Sequence, residues 1–139
     1  MKSLYFATIG LLTLAACTAD VTTTPNQGPP PVGPAPDGTL VLDWTIDGNT
    51  DPNSCFESSS SAIAIDVMDT GGAPAGSFEQ SCTTFSTSIT LAPGDYTANA
   101  TLIDANGNPR TTTVPINPFT IRGADQLNIP IDFPASSFF

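Results

Sequence analysis

From residue 39 onward the chain alternates apolar and polar positions with a period of two. Leu40, Leu42, Trp44 and Ile46 share one face of a first segment and Asp43 and Thr45 the other, the pattern of a strand buried on one side. Ile63, Ile65 and Val67 repeat it until Gly71-Gly72-Ala73-Pro74 breaks the run. Phe78, Gln80 and Cys82 align in a third segment, and Phe85, Thr87, Ile89 and Leu91 in a fourth. A fifth, over 97–104, runs into Ala105-Asn106-Gly107-Asn108-Pro109, where an Asn-Gly pair that tolerates positive φ at both residues predicts a hairpin turn. Leu127, Ile129, Ile131 and Phe133 align in the last. Residues 47–60 are rich in Asp, Asn and Ser and read as a loop, the serines 58–61 as a flexible one. Nothing after residue 17 carries a helical period. Roughly seven or eight short strands, with a turn signal about every 8 to 12 residues, predict an all-β fold, a single antiparallel two-sheet β-sandwich of Ig-like type. Pro115, Pro118 and Pro130 each remove a ladder donor, which places their strands at sheet edges or bulges.

The N-terminus follows another rule. Met1-Lys2 supplies one positive charge, and an uncharged apolar run reaches Ala16. As a helix that run spans about 20 Å, short of the ~30 Å hydrocarbon core of a bilayer. It reads as a secretory signal. Its end, Leu14-Ala15-Ala16-Cys17, resembles the lipobox of bacterial lipoproteins: an aliphatic residue, two small ones and a cysteine. The resemblance implies cleavage after residue 16 and a diacylglycerol on the thiol of Cys17, and hence attachment to a membrane. Thr18, where an aspartate would signal inner-membrane retention in many Gram-negative bacteria, implies the outer membrane. Residues 18–38 hold six prolines and three glycines and almost nothing able to enter a core. Such a tether, largely polyproline II, reaches about 65 Å at full stretch. The expected organisation is therefore a signal peptide over 1–16, a lipidated start and disordered Pro-rich tether over 17–38, and the sandwich over 39–139.

Charge and cysteine usage narrow the function. The formal net charge is −10, and cleavage removes the only lysine, leaving Arg110 and Arg122 against 13 carboxylates. A chain this acidic is repelled by nucleic acid, which is set aside as a partner. With Cys17 acylated, Cys55 and Cys82 remain in an exported domain, where an isolated pair forms a disulfide. Closing a loop of roughly 28 residues stabilises the fold by about 3 to 4 kcal/mol in the chain-entropy model.

Leu91-x-Pro93-Gly94-x-Tyr96, followed by a strand, the Asn-Gly turn and another strand, resembles the small transthyretin-like and carboxypeptidase-regulatory-like β-sandwich modules of bacterial envelope lipoproteins. The stretch from Phe119 to Phe133 is similar to their closing hairpin. The resemblance implies a sandwich in which Tyr96 caps a corner or fills the core and does no chemistry.

The chain holds no histidine, which excludes Ser-His-Asp and Cys-His arrangements and the commonest metal ligand. Without lysine there is no Ser-Lys dyad and no Schiff base. Paired cysteines leave no zinc site, and no phosphate-binding glycine loop or dinucleotide fingerprint appears. An enzyme is not expected, nor a cofactor. Asp47-x-Asn49-x-Asp51 and Asp104-x-Asn106-x-Asn108 have the alternating oxygen ligands that begin a calcium loop. Pro52 and Pro109 stand where such a loop needs glycine, and Asx turns account for both. The expectation is a lipid-anchored envelope protein whose sandwich serves protein interaction or structural support, with an envelope protein or the cell wall as partner. The alternative is a glycan- or peptidoglycan-binding module, with calcium held by the Asp/Asn loops as a conceivable aid, in which Trp44 would be the stacking platform if it were exposed.

Overall fold

The structure, a computed structural model, describes residues 33–139. Seven strands follow in order: β1 Gly38–Ile46, β2 Ala62–Asp69, β3 Pro74–Ser81, β4 Ser86–Leu91, β5 Gly94–Ile103, β6 Val114–Ile121 and β7 Gln126–Phe133, with one helix, α1 Pro52–Glu57, between β1 and β2. They form a three-stranded sheet in the order β4-β1-β7 and a four-stranded sheet in the order β3-β2-β5-β6. Alternation decides what lies between them. Leu40, Leu42, Trp44 and Ile46 of β1 are buried, as are Ile63, Ile65 and Val67 of β2 and Ala98, Ala100 and Leu102 of β5. Each large apolar side chain so buried contributes roughly 1.5 to 3 kcal/mol. The chain is thus an all-β sandwich.

Polar pairs on the outer faces hold the register. Asp43 faces Ser86 across β1 and β4, and its Oδ1 accepts the serine hydroxyl at 2.6 Å. Asp66 faces Ser77 across β2 and β3 (2.5 Å), Asp95 faces Thr120 across β5 and β6 (2.6 Å), and Asp132 faces Thr45 across β7 and β1 (2.6 Å). Because a one-residue slip turns every side chain to the opposite face, a directly opposed carboxylate–hydroxyl pair marks the register that also buries the apolar set.

The prolines lie where their missing N–H predicts. Pro115 and Pro118 are in β6 and Pro130 in β7, each strand the edge of its sheet. The β5–β6 ladder also shifts register between Tyr96 and Ala98. At the β4–β5 corner, Tyr96 is buried against Phe119, ring centroids 5.9 Å apart, and its hydroxyl donates to the Ala92 carbonyl at 2.9 Å.

Several local expectations change. Residues 119–133 do not form a hairpin: β6 and β7 belong to different sheets, and β7 pairs in parallel with β1, so the three-stranded sheet is mixed. The incoming chain intercepts the turn between them, since Ala124 N–H donates to the Asp37 carbonyl (3.1 Å) and Thr39 N–H to the Asp125 carbonyl (2.8 Å). Residues 47–60 contain α1, with Asp51 as N-cap accepting from Asn53 N–H at 2.9 Å and Pro52 in the first turn. Six residues are too few to display a period. The serines after it are bonded rather than loose: Ser58 Oγ donates to the Ser54 carbonyl (2.7 Å), and Ser60 is buried. In the Asn-Gly turn only Gly107 has positive φ, at 80°. Gly107 N–H closes on the Asp104 carbonyl (3.0 Å) and Asp104 N–H on that of Asn108 (2.9 Å), the type I turn with a following bulge rather than the two-residue turn. Phe85, expected to open the fourth strand, precedes it in the left-handed region at φ 54°.

Candidate interaction surface

Strand directions sort the connections into two ends. Near Gly38, where β1 begins, lie the turns between β2 and β3, β4 and β5, and β6 and β7, all short. About 30 Å away, by the rise of the nine residues of β1, the chain leaves Ile46. This far end holds α1, the 3₁₀ turn Cys82–Thr84, residues 104–113 and the segment after Phe133.

The far end is tied together covalently and by backbone bonds. Cys55 of α1 and Cys82 form a disulfide, Cα atoms 6.0 Å apart and both residues fully buried. Trp44 Nε1 donates to the Cys82 carbonyl at 3.1 Å, anchoring the turn to the core. Cys82 N–H donates to Ser61 (3.0 Å) and Ser61 N–H to Ile103 (2.8 Å). Where β6 has not yet begun, the buried Thr111 hydroxyl accepts the N–H of Leu102 at 3.1 Å and replaces the missing ladder partner. Thr112 N–H donates to the Ser137 carbonyl (2.8 Å), which holds the last residues against this loop.

On this frame stand Phe56 and Phe139, 70% and 77% exposed, the exposed large apolar side chains among the described residues. Between α1 and the C-terminal segment runs a groove of about 440 Å³ lined by Asp47, Glu57, Ser58, Arg110, Phe138 and Phe139, among others. Arg110 is half-buried, and its Nε donates to the Ser58 carbonyl at 3.2 Å.

The residues singled out by sequence fare differently. Cys55 and Cys82 are joined; Cys17 and the tether up to residue 32 lie outside the described residues, whereas the tether's last residues, expected to be disordered, belong to the fold, since the Asp37 carbonyl accepts Ala124 N–H and Gly38 opens β1. Trp44 is 1% exposed, 6.3 Å from the Phe85 ring centroid, and offers no face to a sugar. The Asp104 carboxylate is occupied by its own turn: Oδ1 accepts from Asn106 N–H (2.8 Å) and Asn108 N–H (2.9 Å), and Oδ2 from Asn108 Nδ2 (3.0 Å). The Asn108 side chain, followed by the Asn108 backbone, holds the Asp104 pKa below its ordinary value of 3.8. In the other loop the Asp51 carboxylate caps α1, while Asn49 Nδ2 donates to the Asp47 carbonyl (3.0 Å). Among the described residues no group of three or more acidic, His or Cys side chains is placed to hold a metal ion. Phe56 and Phe139 were not singled out by sequence because exposure has no period; for Phe56 the available sign was an aromatic standing alone in a polar stretch.

No family model matches this sequence, and no curated protein matches it. Solved structures that superpose on it share little sequence. A leucine-rich repeat protein of Bacteroides thetaiotaomicron aligns over 74% of this chain at 17% identity, with a TM-score of 0.42. GBS52, the minor pilin of Streptococcus agalactiae, aligns over 72% at 16% identity with a TM-score of 0.46. A Bacteroides ovatus protein described as an adhesin candidate aligns over 70% at 13% identity with a TM-score of 0.44. The chain spans 15%, 45% and 46% of their respective lengths.

Proposed function

We propose that this is a lipid-anchored protein of the bacterial envelope, held through Cys17 in the outer membrane, whose sandwich acts without catalysis by engaging another envelope component. The observation that carries the interaction is the unequal pair of ends. The long connections, the disulfide and both strongly exposed phenylalanines are gathered at the end opposite Gly38. The lipobox-like Leu14-Ala15-Ala16-Cys17 and the proline-rich stretch after it support the anchor, and the lack of histidine and of lysine beyond Lys2 supports a non-catalytic role.

A photo-crosslinking residue placed at Phe56 in cells is expected to give a discrete adduct that the same residue at Gly72, on the near end, does not give. Equal labelling from both positions, or none from Phe56, removes the interaction reading. Cys17→Ser is expected to move the protein from the membrane to the soluble fraction; unchanged partitioning removes the anchor.

A further inference from the structure

We propose that the groove between α1 and the C-terminal segment is a binding site for a small zwitterion with an apolar side chain, a free amino acid or a short peptide. This deepens the interaction reading above and rests on it for its biological meaning, but the site is argued from its own lining.

Lysine occurs only at position 2, so Arg110 and Arg122 are the cationic side chains of the domain, and one of them lies in this groove. Arg110 is held at three points. Its N–H donates to the Leu102 carbonyl (2.8 Å), its carbonyl accepts from Phe139 N–H (3.3 Å), and its Nε donates to the Ser58 carbonyl (3.2 Å). The last bond occupies the Nε donor and restrains the side chain. The terminal nitrogens form the paired donors that match a carboxylate in bidentate fashion. A flexible surface arginine loses side-chain entropy on binding, whereas this one is already ordered and half-buried.

The carboxylates lining the same groove, Asp47 and Glu57, would repel a simple anion. They suit an ammonium carried by the same ligand. Phe138 and Phe139 add apolar surface to the lining. A fork for carboxylate, acidic groups for ammonium and an aromatic wall together specify an amino acid or peptide rather than a sugar or a phosphate. The volume, about 440 Å³, falls within the range of small-ligand sites.

The test is titration of the ¹⁵N-labelled full chain in detergent with phenylalanine and with alanyl-phenylalanine, read by amide shifts. Saturable shifts at Ser58, Arg110 and Phe139 are expected, and the tighter of the two probes tells free amino acid from peptide. N-acetylation or C-amidation of that probe is expected to weaken binding at least about fivefold each, since each removes one charge. Arg110→Gln is expected to abolish the shifts, Arg110→Lys to weaken them, and Arg122→Gln to leave them unchanged. If Arg110→Gln unfolds the far end, Glu57→Gln decides instead: it is expected to weaken the zwitterion and to leave the N-acetylated probe no weaker. No shift with either probe, or equal shifts with the doubly blocked one, overturns the site. Crosslinking at Phe56 is unaffected by that result, so failure of the ligand class and failure of the interaction reading are separable.

Discussion

The near and far ends of the sandwich are built from the same strands and stabilised by different means. At the near end short turns suffice, and where the incoming chain meets the β6–β7 turn a methyl group has no room. A Cβ on Gly38 would meet the Arg122 carbonyl and lie 2.7 Å from Ile121 Cγ2, and one on Gly123 would lie 2.8 Å from the Pro36 carbonyl. At the far end the β1–β2 and β5–β6 connections are long, β5 and β6 do not pair beyond Val114, and a disulfide with a web of loop hydrogen bonds replaces the ladder. An end stabilised by local cross-links rather than by sheet can carry exposed aromatics and a groove without opening the core.

The strongest way to break this contrast is to remove the cross-link. Replacing Cys55 and Cys82 together by serine is expected to lower stability by about 2 to 4 kcal/mol in thermal unfolding. Hydrogen exchange should rise first in residues 52–61, 82–85 and 104–113, with the near-end turns still protected; uniform loss would mean that the disulfide serves the whole core. The corresponding change at the near end is Gly38→Ala, expected to cost about 1 to 3 kcal/mol from overpacking against backbone, whereas alanine at the solvent-facing Gly33, with nothing within 4 Å, should cost far less. Tyr96→Phe removes the bond to Ala92 and is expected to cost about 1 kcal/mol, read as a Tm shift of several degrees.

Smaller effects sharpen the description of the far-end turn and surface. Asp104 has its pKa lowered in the folded chain, so its contribution is complete above the ordinary value of 3.8 and is lost as pH falls through the lowered value. Asp104→Asn is therefore expected to flatten the stability profile below about pH 4; an unchanged acid limb would show that the turn does not couple to unfolding. Phe56→Ser is expected to change stability by less than about 0.5 kcal/mol, because the ring is already in water. A larger loss would mean that Phe56 serves the fold and not a partner.

Residue by residue, the inner face was legible. Leu40, Leu42, Trp44, Ile63, Ile65 and Val67 point inward because a half-buried strand admits no other placement of alternating side chains. The edge positions of Pro115, Pro118 and Pro130 follow from a missing donor, and the Cys55–Cys82 bridge from there being no other pair beyond the lipobox. These are local constraints, each acting through one residue's own geometry or chemistry.

The partner of β7 was not local. From Phe119 to Phe133 the chain has the look of a hairpin, yet β7 leaves β6 and lies parallel to β1, most of the domain away in sequence. Alternation fixes which face of a strand is buried but not which strand it pairs with, and here the incoming chain bonds the Ala124 N–H and the Asp125 carbonyl of the connection. The far-end groove is of the same kind, since Asp47, Glu57, Arg110 and Phe139 meet only when β1, β5 and β7 end at the same height. The burial of the core, the bridge and the guarded edges can be read from residue order alone, because they depend on what single residues can do. The mixed sheet and the surface at its far end emerge with the folded chain, because they depend on which distant segments reach each other's unpaired backbone.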